Sequence, residues 1–104
     1  MCPPHLTGGS VDVSLFHRAT GEVLDMGSAF DEAGHLSYTA ALENETDARL
    51  DAARQHRRIL VGAMVQAGFT NIPTEWWHFD FGNQNWAYFS GADRAIYGAA
   101  HWQD

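Results

Sequence analysis

Glu75 to Phe81 reads EWWHFDF, and its aromatic content favours a pleated, half-buried strand over a helix. Two-residue alternation places His78 on the polar side of this strand and turns Glu75 to the opposite side. Bringing both to one site requires a bend, and Pro73 and Thr74 just upstream make an irregular strand entrance the expected place for it. Trp76 and Trp77 are expected in the core or as the wall of a cleft, where their bulk would dry the site.

Such a strand needs a partner, and Ser10 to Phe16 (SVDVSLF) supplies one. Val11, Val13 and Leu15 alternate with Ser10, Asp12, Ser14 and Phe16, so Asp12 points away from the aliphatic side. The turn residues Arg18 to Glu22 (RATGE) and a return over Val23 to Met26 complete an expected hairpin. Gly27 to Ala41 is rich in small and acidic residues without a period, as in a long surface loop, and loops of this kind often carry function. A helix is expected from a cap at Asn44 or Thr46 to Ala67. Glu45, Asp47 and Asp51 stand at its positive end, Arg54, Arg57 and Arg58 follow, and Gly68 closes it. Its core stripe is Leu50, Ala53, Leu60, Met64 and Ala67, joined by Ile59, Val61 and Val65. From Asn83 onward only short irregular pieces are expected. The resulting fold class is α+β, a small antiparallel sheet packed against one main helix in a single domain over residues 1–104.

Composition narrows the partners. The chain has 104 residues, 45% of them hydrophobic, which is room for one core but not two. Thirteen acidic residues against six basic ones, all Arg, give a net charge of -7, which argues against nucleic acid and anionic membrane surfaces. The lone Cys2 excludes an internal disulfide. No apolar run approaches the roughly 18 residues of a membrane span and no export signal is visible, so a cytoplasmic location is expected, or a periplasmic one if an upstream segment carries a signal. Of the six His residues, His17, His35, His56 and His101 read as structural or solvated. His5, in a Gly-flanked loop feeding the first strand, and His78 can each approach a carboxylate. Pairing the two strands would gather His5, Asp12 and His78 into a two-His, one-carboxylate set with an open fourth position, the arrangement of catalytic zinc.

The stretch PPHLTGGSVDVSLF (residues 3–16) together with TEWWHFD (residues 74–80) resembles the zinc D-alanyl-D-alanine dipeptidases of the vancomycin-resistance type, within the wider group of D-Ala-D-Ala peptidases and Hedgehog-like domains. GEVLDMGSAFD (21–31) and GNQNWAYFSGADRAIYG (82–98) extend the resemblance over nearly the whole chain. It implies one Zn2+ per chain held by His5, Asp12 and His78, Glu75 as catalytic base, and Asp31 pairing with the free amino group of a small dipeptide. The implied activity is hydrolysis of D-Ala-D-Ala, a peptidoglycan precursor. The family's enzymes are roughly twice this length, with the additional portion before the first zinc ligand, whereas only Met1 to Pro4 precede His5 here. That portion carries an Arg at the transition state to which none of the six Arg residues corresponds, and Pro3 and Pro4 replace the family's small polar residues before the first His. The alternative expectation is therefore a truncated, catalytically weak zinc-binding domain acting through a partner chain, or a homodimer covering an exposed apolar face.

Overall fold

The computed structural model describes residues 8–30, 32 and 34–91. Its sheet is antiparallel throughout and has three strands, β1 (Ser10–Asp12), β2 (Thr70–Asn71) and β3 (His78–Asp80), in the order β1-β3-β2. β3 is central, with Asp12 opposite His78, Val11 opposite Phe79 and Ser10 opposite Asp80. On its other edge Thr70 lies opposite Asp80 and Asn71 opposite Phe79.

The strand expected over 75–81 is cut to three residues because the chain turns before it. The Glu75 amide donates to the Ile72 carbonyl at 3.1 Å and the His78 amide to the Glu75 carbonyl at 3.3 Å, which is the bend that Pro73 and Thr74 foreshadow. The strand expected over 10–16 also shortens, although the Val13 amide still reaches the Trp77 carbonyl at 2.9 Å. The hairpin contracts to a single bridge between Phe16 and Val23. Those two side chains are 63% and 74% exposed, so no buried face holds a longer ladder in register.

The main helix, α1, covers Asp51–Gln66 and begins later than the sequence suggests. Short 3-10 turns at Ala41–Asn44 and Ala48–Leu50 lead into it, and the carboxylate accepting from the Arg49 amide is that of Asp47, not a side chain of Asn44 or Thr46. Burial of Leu42 draws residues 41–44 down onto the protein, which breaks the helical path there. At the other end the Phe69 amide donates to the Met64 carbonyl and the Gly68 amide to Val65. Gly68 has φ +100, so the helix closes in a Schellman motif.

The buried face of α1 is Ala53, Arg57 and Leu60. Ile59 and Val65, expected to pack, are instead 59% and 53% exposed. At 100° per residue Ile59 lies nearly opposite Arg57, and it is the arginine that takes the core position. Its guanidinium donates to the carbonyls of Met26 (2.6 Å), Tyr38 (3.0 Å) and Leu36 (2.5 Å), tying the long loop to the helix. Burial pushes the Arg57 pKa down to about 10 against the opposing charge of Asp25, which still leaves it a cation at neutral pH. The apolar core joins Met26, Leu60, Trp76, Trp77 and Phe79, with Val13, Leu15, Val61, Met64 and Phe69 around them.

A second helix, α2 (Gln84–Ser90), stands where irregular pieces are expected. The Asn83 side chain accepts from the Trp86 amide at 2.9 Å, Gly91 ends the helix at φ 77, and the Trp86 indole donates to the Gly68 carbonyl at 3.1 Å. Aromatic residues and asparagine are indifferent helix formers, so this cap and the docking on the end of α1 decide the conformation. No helix among the described residues is long and apolar enough to cross a membrane.

Candidate metal centre

The pleat and the register of β1 against β3 assemble a polar cluster without help from any loop. Ser10 and Asp12 share one face of β1, His78 and Asp80 share one face of β3, and the pairing sets Asp12 opposite His78 and Ser10 opposite Asp80. Phe79, between them in sequence, projects to the other face and is fully buried in the core. One tripeptide thus fixes the position of the imidazole through its neighbour's packing.

His78 sits between two carboxylates. Its Nδ1 is 3.2 Å from Asp12 Oδ1, and its Nε2 is 2.9 and 3.0 Å from the two oxygens of Asp80. Asp80 also accepts from Ser10 Oγ at 2.5 Å and from Asn83 Nδ2 at 2.6 Å. Burial opposes a charged imidazole, but the Asp80 hydrogen bond and the charges of Asp80, Asp12 and Glu75 outweigh it and raise the His78 pKa. Burial likewise opposes ionisation of Asp80, and its bonds from His78, Ser10 and Asn83 overcome that and lower its pKa. The Ser10 hydroxyl donates to the carboxylate rather than to the imidazole, so the Ser, Asp and His here do not form an activated serine nucleophile.

The separation of His78 Nδ1 and Asp12 Oδ1 provides a test of fit for zinc. Two donors ~2.0–2.1 Å from one tetrahedral ion lie ~3.3 Å apart, and the pair is at 3.2 Å. With Nε2 donating to Asp80, a neutral His78 presents the lone pair of Nδ1 toward the Asp12 side. A nitrogen lone pair beside a carboxylate oxygen suits a cation shared by both, and the residues present therefore fit the metal. Among the described residues no group of three or more His, Cys, Asp or Glu side chains is arranged to hold an ion.

Glu75 reaches the same neighbourhood from the turn before β3, close enough for its charge to raise the His78 pKa. Asn71 of β2 braces that turn, its side-chain amide donating to the carbonyls of Glu75 and His78, both at 3.0 Å. The Asn71 oxygen in turn accepts from the Thr39 hydroxyl at 2.5 Å. Ser37 ties the long loop to the same place, its hydroxyl donating to the Thr74 carbonyl (3.0 Å) and its carbonyl accepting from the Trp76 amide (3.0 Å). Between loop and turn lies an open cleft of about 380 Å³ whose wall includes Glu75, Glu32, Tyr38 and Trp77. The loop is therefore tied down at Ser37 and Thr39 and forms one wall of the cleft, although most of its side chains face solvent.

Of the residues singled out from the sequence, Asp12 and His78 meet and Glu75 faces their surroundings, while His5 and Asp31 lie outside the described residues. Arg49, Arg54, Arg57 and Arg58 are occupied by acidic side chains or carbonyls around α1. Asp80, Ser10 and Asn71 join the site without a signal in the expectations above. Parity alone would have found Asp80 and Ser10, which stand two residues from His78 and Asp12.

The family model for D-ala-D-ala dipeptidase matches residues 1–97. The chain belongs to this family. This D-Ala-D-Ala dipeptidase family member is similar to the D-alanyl-D-alanine dipeptidase of Synechocystis sp., 37% identical over 92 residues that cover 83% of this chain and 37% of the relative. It is also similar to the D-alanyl-D-alanine dipeptidases of Enterococcus faecalis, 36% identical over 75 residues (72% of this chain, 35% of the relative), and Escherichia coli, 35% identical over 77 residues (73% and 36%). The chain thus spans little more than a third of the length of these relatives. The sheet and main helix described above agree with the α+β class expected for the family.

Proposed function

We propose that this chain carries the metal-binding and general-base elements of a zinc-dependent peptidase that hydrolyses D-Ala-D-Ala. The observation that supports it most directly is the 3.2 Å approach of His78 Nδ1 to Asp12 Oδ1 across β1 and β3, with Glu75 held on the adjoining turn. His78 and Asp12 would hold the ion, with His5 as the third ligand by the family pattern. Zinc when bound supplies a water acidified toward pKa ~7 and a Lewis acid for the peptide carbonyl.

The remaining work belongs to the chain's own groups. Glu75 takes the proton of the attacking water and returns it to the amine of the departing D-Ala, a reversal of role open to a carboxylate in a half-buried position. Asn71 keeps the Glu75 backbone from swinging away while it does so. Trp77, 2% exposed, limits water on its side of the cleft. Asp31 pairs with the substrate ammonium, which restricts the site to short peptides with a free N-terminus.

The test is release of D-Ala from D-Ala-D-Ala by purified zinc-loaded protein. Glu75→Gln should abolish release while bound zinc stays near that of the unaltered protein, because the amide cannot accept the proton but keeps the shape. Turnover by Glu75→Gln at the rate of the unaltered protein would remove Glu75 from the mechanism. Zinc bound without any turnover would make the chain a metal-binding domain that needs a partner chain to act.

A further inference from the structure

Asp80 is a carboxylate that the proposed chemistry leaves unused, yet it is fully buried, and a buried charge has to be held by donors. Three side chains converge on it: Ser10 Oγ, Asn83 Nδ2 and His78 Nε2. Ser10 stands opposite Asp80 in the sheet and Asn83 caps α2, so two separate elements fix the carboxylate in place. Asn83 Nδ2 also donates to Ser10 Oγ at 3.0 Å, which links the two supports.

An ionised carboxylate only accepts hydrogen bonds, so the ring nitrogen between its two oxygens is the one bearing the proton. In neutral imidazole the other nitrogen is then the electron-pair donor, and in His78 that atom is the one beside Asp12. Both oxygens of Asp80 lie within 3.0 Å of Nε2, which restrains the plane of the ring as well as its tautomer. We propose that Asp80 is a positioning residue of the metal centre: it holds His78 as the Nε2-protonated tautomer with Nδ1 presented beside Asp12, and Ser10 and Asn83 hold Asp80. This inference rests on the zinc reading above. Partners of this kind, bonded to the far nitrogen of a ligating histidine, typically govern metal affinity by ~10–100-fold.

Two measurements test it. In the zinc-loaded unaltered protein, nitrogen NMR of the His78 ring should show a proton on Nε2 and the metal-shifted signal on Nδ1; the reverse assignment overturns the proposal. In competition against a chromophoric chelator, Asp80→Asn should bind zinc ~10–100-fold more weakly and Ser10→Ala should weaken binding in the same direction by less. Ser10→Ala and the ring spectrum keep the question decidable should Asp80→Asn not fold. Asp12→Ala separates the two layers of argument. If Asp12→Ala binds zinc as tightly as the unaltered protein, the zinc reading fails and the proposal with it. Strong loss in Asp12→Ala with unchanged affinity in Asp80→Asn leaves the metal site standing and removes only the role given to Asp80.

Discussion

At the scale of single residues, the most demanding position outside the site is Gly27. It has φ +89, and a Cβ there would meet Leu42 Cδ1 at 2.6 Å, with Ala53 Cβ and Arg57 NH2 both at 3.4 Å. Leu42 and Ala53 are buried, so neither has open space to yield. Gly27→Ala should therefore lose ~2 kcal/mol or more, from the left-handed backbone and the overpacking together, read as a lower urea midpoint. An unchanged midpoint would mean that Leu42 repacks freely. Asp12 and His78 are legible as polar positions on two strands expected to pair, and the family resemblance marks them as a ligand set. Asp80 is not legible in this way, since nothing in a linear sequence says that its carboxylate is wholly buried. Nor does it say that three donors would come from positions 10, 78 and 83.

At the scale of elements, the loop over 27–41 depends on α1 through one side chain. Arg57 supplies all the donors just described to Met26, Leu36 and Tyr38, and its guanidinium carbon lies 5.8 Å from the Trp76 ring. Replacing it by alanine leaves carbonyls without donors and a gap against an aromatic ring, and each orphaned buried group costs ~1–3 kcal/mol. Arg57→Ala should accordingly lose ~3 kcal/mol or more in chemical denaturation, and amide exchange in residues 34–38 should rise before the rest of the chain. Equal exchange across the loop would show that Ser37 and Thr39 suffice to dock it. The helix itself was readable from its period and from Gly68, but an arginine in the buried stripe was not, because amphipathic patterns assign charge to solvent. The same pattern places Ile59 and Val65 inward, although both are exposed. β2 is two residues long, which is too short for any period to register, and α2 is held by its cap and by Trp86 rather than by propensity.

At the scale of the whole molecule, the Asp12–His78 pair bridges β1 and β3 across 66 residues of sequence. β1 is only three residues long and, among the described residues, pairs with β3, so this part of the chain is joined to the sheet by a short ladder. An ion gripped by Asp12 and His78 would close a long loop in the folded state and have no such pair to grip in the unfolded one. Binding to the folded form alone adds RT ln(1 + [L]/Kd), ~2.7 kcal/mol when free zinc is a hundred times Kd. For a domain of this size that corresponds to a melting temperature ~10 °C or more higher with zinc than with chelator, since each kcal/mol moves it by several degrees. The increment should disappear in Asp12→Ala and His78→Ala, because each removes one end of the bridge, but survive in Glu75→Gln, whose side chain is assigned to the water and not to the metal. Identical melting curves with zinc and with chelator would mean that the cross-strand pair does not act as a metal clamp.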